Sequence, residues 1–208
     1  ISSKLDQTPS PAIWASNSSG VYFNVREFGQ SNVYYSDLKG KVKKVTKGNH
    51  MLTINDLVGK NAVATWTDPT NPSDIVHFSI ENSTKIKRLT NVNEDIFYNV
   101  EFGKLEEITY TSIDNKKIQG WIVKPPQFDS NKKYPLVLRI HGGPHSMYHV
   151  GFNYNCQLHA AQDQVLLYTN PRGSTGYGYD FANAIQNAYP GNDYDDIMAG
   201  VDEVISKG

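Results

Sequence analysis

Over the first hundred residues the apolar positions fall in short runs separated by turn residues, a strand-rich pattern. Gly20-Val-Tyr-Phe-Asn-Val25, Val33-Tyr-Tyr-Ser36 and Ala62-Val-Ala-Thr-Trp66 are rich in β-branched and aromatic side chains, which predicts strands. Leu38-Lys39-Gly40-Lys41 and Glu81-Asn82-Ser83-Thr84 supply turn chemistry between strands. A repeat runs through this half. Val33-Tyr-Tyr-Ser, a turn and Val42-Lys-Lys-Val-Thr46 return as Val76-His-Phe-Ser, a turn and Ile86-Lys-Arg-Leu-Thr90. The period, about 44 residues, lies in the range of a four-stranded propeller blade.

Near Gly103 the pattern changes. Glu107 to Ser112, a turn at Asp114-Asn115, and Lys117 to Lys124 predict a hairpin that Pro125-Pro126 stops. Leu136 to His141 and Gln164 to Thr169 are continuous apolar runs, as in strands buried on both faces. A weakly amphipathic stretch, Phe152 to Gln162, predicts a helix between them and hence a parallel βαβ unit. Two more helices are expected. One carries Phe181, Ala184, Ile185 and Ala188 and is broken at Pro190-Gly191; the other carries Ile197, Val201, Val204 and Ile205. Asn192 or Asp193 is a candidate cap for the last, and Asp195 and Asp196 suit its N-terminal dipole, a structural rather than catalytic use.

Charge and composition narrow the function. A formal net charge of −1 with both signs interspersed gives no nucleic-acid signature, and Lys39 to Lys44 reads as a solvated strand face. No apolar run approaches the roughly 20 residues of a membrane span, and Ile1 opens no signal-like segment. The single Cys156 excludes an internal disulfide and reads as a small buried apolar side chain. Compartment stays open between cytoplasm, periplasm and secretion.

The candidate chemistry sits where the Pro135 to Ile140 run stops at His141-Gly142-Gly143-Pro144. A buried strand ending there leaves bare backbone N–H groups at a sheet's carboxyl edge, which suits an oxyanion hole of the α/β-hydrolase type. Gly143 is the first choice of donor and Gly142 the second. The Gly-x-Ser-x-Gly elbow such an enzyme needs is absent, as are a later acid and histidine, so a piece of a longer enzyme is expected and the chain alone is expected to be inactive. Gly173, Gly176 and Gly178 do not follow the dinucleotide spacing and no Walker lysine follows them. His141, His145 and His149 recur every four residues, yet Gly142-Gly143-Pro144 prevents a helix through them, so no metal and no cofactor are expected. His141 is expected to pack under the loop and His145 to border the cavity. Arg172 lies just past a strand's carboxyl end. Ordering the loop or holding a helix is the favoured role there over direct substrate contact; with His145 and Tyr177 it completes the substrate-side candidates.

Three blocks carry a family resemblance: Tyr134 to His145, Asn170-Pro-Arg-Gly-Ser-Thr-Gly-Tyr-Gly178, and Gly191 to Asp202. Together they resemble the C-terminal domain of the prolyl oligopeptidase family of serine peptidases, and His-Gly-Gly-Pro looks more like its acylaminoacyl-peptidase and dipeptidyl-peptidase-like branch than like prolyl oligopeptidase itself. The resemblance implies a β plus α/β chain. Residues 1–104 would be the last blades of a β-propeller, and residues 105–208 the N-terminal part of an α/β-hydrolase domain. It further implies hydrolysis of short peptides through an acyl-enzyme, with this chain supplying the oxyanion loop. The alternatives are a carboxylesterase of the same fold and a non-catalytic interaction module. A peptide substrate is the expected partner, without nucleic acid or membrane. Oligomeric state, a homo-oligomer included, is left open.

Overall fold

The computed structural model describes residues 5–208. The chain divides into two compact units. The first runs to Asn99 and takes in His149–Phe152; the second comprises Val100–Tyr148 and Asn153–Gly208.

The first unit is a β-sheet built from two antiparallel meanders. Strands β1 (Ile13–Trp14), β2 (Gly20–Glu27), β3 (Gln30–Asp37) and β4 (Val42–Lys44) pair in that order. Strands β5 (Met51–Val58), β6 (Asn61–Thr67), β7 (Asp74–Ser79) and β8 (Asn82–Arg88) do the same. The meanders meet through one parallel bridge, Ser31 to Met51. Side chains reinforce that thin junction. The Asn24 amide donates to the Leu52 carbonyl at 2.5 Å and accepts from the Ile54 N–H at 2.8 Å, while the Ser31 hydroxyl donates to the same Leu52 carbonyl at 2.8 Å. Below lies a core in which Val33, Leu52, Ala62, Ala64, Val76 and Phe78 are fully buried. Short β6 and β7 alternate inward and outward, so each inward residue contributes about 1.5–3 kcal/mol if it is Val, Leu or Phe.

The sequence pattern gives no clear signal for β5, because Asn55 and Asp56 interrupt it. The structure absorbs the interruption in a bulge between Ile54 and Asp56.

The repeat in the sequence has a physical counterpart. Thr46 Oγ1 accepts the Val33 N–H at 2.8 Å and donates to the Asn32 side-chain oxygen at 3.2 Å. Thr90 Oγ1 accepts the Ile75 N–H at 2.9 Å and donates to Asp74 at 2.6 Å. Both threonines thus close a hairpin end by the same pair of bonds. The structural match is Val33 to Ile75, one residue away from the match in sequence; β7 and β8 slip register between His77 and Ser79.

Only the second clamp carries a charge. Burial opposes the charge on Asp74, but bonds from Thr90 and Arg88 and the Val92 N–H hold its carboxyl below the usual range. A depressed acid contributes stability above its unfolded pKa and loses it as pH falls through the folded one. Urea unfolding followed between about pH 2 and pH 5 should therefore show an acid limb that Asp74→Asn flattens and Asn32→Ala does not. Parallel acid limbs in the parent and Asp74→Asn would refute this.

The second unit is a four-stranded sheet in the order β11-β12-β10-β9. Strands β9 (Lys104–Thr111) and β10 (Lys117–Lys124) form the expected antiparallel hairpin, with Asp114 and Asn115 in the left-handed region at its turn. Strands β11 (Leu136–Arg139) and β12 (Val165–Asn170) are parallel and are joined through helix α2 (Tyr154–Ala161), the expected βαβ unit. Strand β12 is buried at every position. One sheet face presents Ile108, Ile118, Ile122 and Leu167 to Ala199, Val201 and Val204 of helix α4 (Asn192–Ser206). On β10 and β12, Trp121 stacks on Tyr168 with ring centroids 5.4 Å apart.

Three local expectations need correction. Strand β11 ends at Arg139, two residues short of His141. The helix expected over Phe181 to Ala188 is a single turn, α3 (Tyr179–Asn183), followed by turns in which Asn187 takes a positive φ of 59°. Phe181 still packs in the core and Ile185 is buried, so the apolar spacing marked burial rather than helix length. Neither Asn192 nor Asp193 caps α4. The cap position is Gly191, and Asp193 Oδ1 instead accepts the Gly191 N–H at 2.7 Å.

Among the described residues no helix is long and apolar enough to cross a membrane. A short helix α1 (Glu94–Phe97) closes the first unit's sequence.

Candidate active site

The carboxyl ends of β11 and β12 carry two loops, residues 140–148 and 171–178, and these are laced together. Asn170, the last residue of β12, is fully buried and acts as the hub. Its side chain accepts the Tyr148 N–H at 2.7 Å and donates to the Tyr148 carbonyl at 3.0 Å and the Tyr177 hydroxyl at 2.7 Å. The Thr175 N–H donates to the Ser146 carbonyl at 2.8 Å. His145 Nδ1 lies 3.0 Å from the Gly173 carbonyl; a carbonyl only accepts, so His145 is protonated at that nitrogen. His141 Nε2 lies 3.0 Å from Ser174 Oγ and its Nδ1 lies 3.1 Å from the Gly142 carbonyl. Burial holds His141 below the usual histidine range, with the Gly142 carbonyl and Asn170 opposing that shift, so the ring is neutral at pH 7. Its face is fixed by an edge contact with Tyr148, centroids 5.0 Å apart.

Within this frame Gly142 and Gly143 stand exposed. Among the described residues neither N–H makes a hydrogen bond. Gly143 has φ +135°, a conformation that L side chains rarely adopt, and a Cβ there would sit 3.0 Å from the His145 nitrogen. A Cβ on Gly142 would meet nothing within 4 Å. The two positions therefore differ. Gly142→Ala should leave unfolding free energy within about 0.5 kcal/mol of the parent, whereas Gly143→Ala should lose about 1–3 kcal/mol, both read from urea transitions. Equal losses would contradict the difference in backbone.

Arg172 and Tyr177 have inward-turned polar ends. Arg172 is buried, and its Nε and Nη2 donate to Asp196 at 2.8 Å each while Nη1 and Nη2 reach Asp114 at 3.0 and 3.1 Å. Its own backbone N–H adds a bond to Asp196 Oδ2 at 2.9 Å. Asp196 is entirely buried, and the Tyr110 hydroxyl donates to its backbone carbonyl at 2.8 Å. This ties the β12 loop to helix α4, and all three guanidinium nitrogens of Arg172 are engaged within the chain, as the loop-and-helix role requires. Dipole compensation does not account for Asp196; its partner is a guanidinium. Tyr177 accepts from Asn170 and its hydroxyl donates to Gln119 at 2.5 Å, so its polar end is likewise bound into the loop frame. His145 alone of the substrate-side candidates is exposed. His149 falls in the first unit, where the neighbouring Val150 N–H donates to the Gly29 carbonyl at 2.9 Å. Among the described residues no group of histidines, cysteines and acids has the arrangement of a metal site.

Sequence reasoning missed Asn170 and Ser174. Each looks like an ordinary polar loop residue, and their partners Tyr148 and His141 lie 22 and 33 positions away. The buried Asp196 carried only a weak signal, an acid one place before the apolar face of a helix.

Residues 150–208 match the model of the prolyl oligopeptidase family; the range takes in α2, β12, α3 and α4 and starts past the His141–Pro144 loop. The chain is 35% identical over 197 residues to the uncharacterised peptidase YuxL of Bacillus subtilis, covering 94% of this chain and 30% of that protein. It is 28% identical over 194 residues to dipeptidyl-peptidase 5 of Porphyromonas gingivalis, covering 92% of this chain and 28% of that one. The solved acylaminoacyl peptidase of Pyrococcus horikoshii superposes with a TM-score of 0.84 at 28% identity, over 98% of this chain and 31% of its own. The chain thus spans less than a third of the length of these relatives.

Proposed function

We propose, on the premise that this chain belongs to the prolyl oligopeptidase family, that it supplies the oxyanion loop of a serine peptidase acting on short peptides through an acyl-enzyme. One observation carries the reading. Two adjacent backbone N–H groups past β11, a half-buried strand parallel to β12, make no hydrogen bond among the described residues, while the loop around them is tied at His141, His145, Ser146 and Tyr148. An idle pair on a rigid frame suits a charge that appears only in the transition state. Gly143 is the first donor and Gly142 the second, with His145 at the substrate side. The reactive serine, its base and its acid would come from elsewhere in the full-length gene product.

The domain reading follows the same premise. Residues 1–104 would be two blades at the end of a β-propeller, and the two four-stranded meanders with their matched threonine clamps support it. Residues 105–208 would be the first part of the α/β-hydrolase domain. A parallel β11–β12 pair flanked by an antiparallel hairpin supports that assignment.

The test uses the full-length gene product. A fluorophosphonate probe should label it, and aminoacyl- or acyl-peptide anilides should be cleaved faster than simple esters of similar size. Labelling with ester turnover alone would favour a carboxylesterase. Neither labelling nor turnover would leave an interaction module.

A further inference from the structure

We propose that His141, held by Ser174, fixes the direction of the Gly142–Gly143 peptide group and is thereby a positioning residue for the oxyanion donor. The proposal rests on the reading of Gly143 as that donor. The Gly142 carbonyl and the Gly143 N–H belong to one planar unit and point in opposite directions, so whatever holds the oxygen aims the hydrogen. Nothing on the glycines themselves holds it. A Cβ at Gly142 would find open space, and Gly143 occupies a region open to glycine.

The hold comes from the preceding residue. His141 Nδ1 lies 3.1 Å from the Gly142 oxygen, and since a carbonyl only accepts, the proton is on Nδ1. The neutral ring then presents Nε2 as an acceptor, and the Ser174 hydroxyl 3.0 Å away donates to it. Ser174 is itself fully buried, and its N–H donates to the Pro171 carbonyl at 3.0 Å. The order is thus Ser174 hydroxyl, imidazole, Gly142 carbonyl, Gly143 N–H. Bonds in such a chain polarise one another, so the last donor is strengthened as well as aimed. The edge contact with Tyr148 stops the ring from swinging out of line.

Two amide variants divide the ring's functions. In His141→Asn the side-chain nitrogen falls where Nδ1 stands and keeps the bond to Gly142. In His141→Gln it falls where Nε2 stands and loses that bond. Made in the full-length gene product and assayed on an acyl-peptide anilide, His141→Asn should keep kcat within about threefold, and His141→Gln should lose about 10- to 100-fold with KM little changed. Ser174→Ala, which frees the ring to take the other tautomer, should lower kcat by an intermediate factor. A crystal structure of His141→Gln should show the Gly142 carbonyl turned, and one of His141→Asn should not. Equal kcat in the two amide variants, or an unmoved carbonyl in both, overturns the proposal. If His141→Gln does not fold, a kcat in Ser174→Ala equal to the parent's overturns it, and a fall in kcat at constant KM supports it. Should the parent neither label with fluorophosphonate nor cleave anilides, the oxyanion reading falls; the carbonyl orientation still decides whether His141 positions the peptide.

Discussion

Replacing Gly143 by alanine in the full-length gene product is expected to lower kcat on a peptide anilide by about 10²- to 10³-fold, with KM nearly unchanged. The size is that of one lost oxyanion donor, about 2.7–4 kcal/mol of barrier. The N–H itself survives the substitution; its direction does not. At φ +135° a side chain is strained, and a Cβ there would press on backbone at 3.0 and 3.3 Å, which cannot swing aside as a flexible side chain would. Relief requires rotation at residue 143, and the flanking tie of His145 to Gly173 pushes that rotation back onto the Gly142–Gly143 peptide. Since the substrate carbonyl acquires its charge only on the way to the tetrahedral intermediate, ground-state binding changes little. Gly142→Ala, which has open space and an ordinary φ, should fall less. A Gly143→Ala kcat within about threefold of the parent would remove Gly143 from the oxyanion hole.

Why this loop was legible while its supports were not follows from the range of each signal. The run Pro135 to Ile140 and the His-Gly-Gly-Pro after it are contiguous, so sequence alone places backbone donors at a strand's end. The same holds for the β9–β10 hairpin and the βαβ unit, where period, length and turn chemistry are local. The supports are assembled by tertiary contact. Asn170 meets Tyr148 across 22 positions, and Arg172 meets Asp114 across 58. No local pattern encodes such pairs. The misjudged helix at Phe181 to Ala188 has the same origin, because apolar spacing reports which residues are buried. Both Phe181 and Ile185 are used against the loop: Gly173 donates its N–H to the Phe181 carbonyl at 2.9 Å, and a Cβ on Gly173 would strike Ile185 at 2.6 Å. Close packing around the loop fixed the chain path there, and helix continuity gave way to it.

The rigidity of that loop should depend on its buried ion pair, and Arg172→Met is expected to cost about 3–5 kcal/mol of unfolding free energy. The figure follows from what is left behind. Asp196 is entirely buried and would lose its guanidinium partner at 2.8 Å, retaining the Arg172 backbone N–H at 2.9 Å. A buried carboxylate left with one bond carries the cost of an uncompensated buried charge. Asp196→Leu alone should cost as much, since the Arg172 side chain is 5% exposed and would keep only Asp114, itself half exposed. The double variant, Arg172→Met with Asp196→Leu, should cost clearly less than the two singles together, because an apolar pair of similar volume leaves no stranded charge. High salt should not reproduce the loss, which distinguishes this pair from surface pairs such as Lys60–Glu81. Urea unfolding of the four proteins at two ionic strengths measures all of this. Additive losses would mean that Arg172 and Asp196 act independently, and the tie between the β12 loop and helix α4 would then have no energetic content.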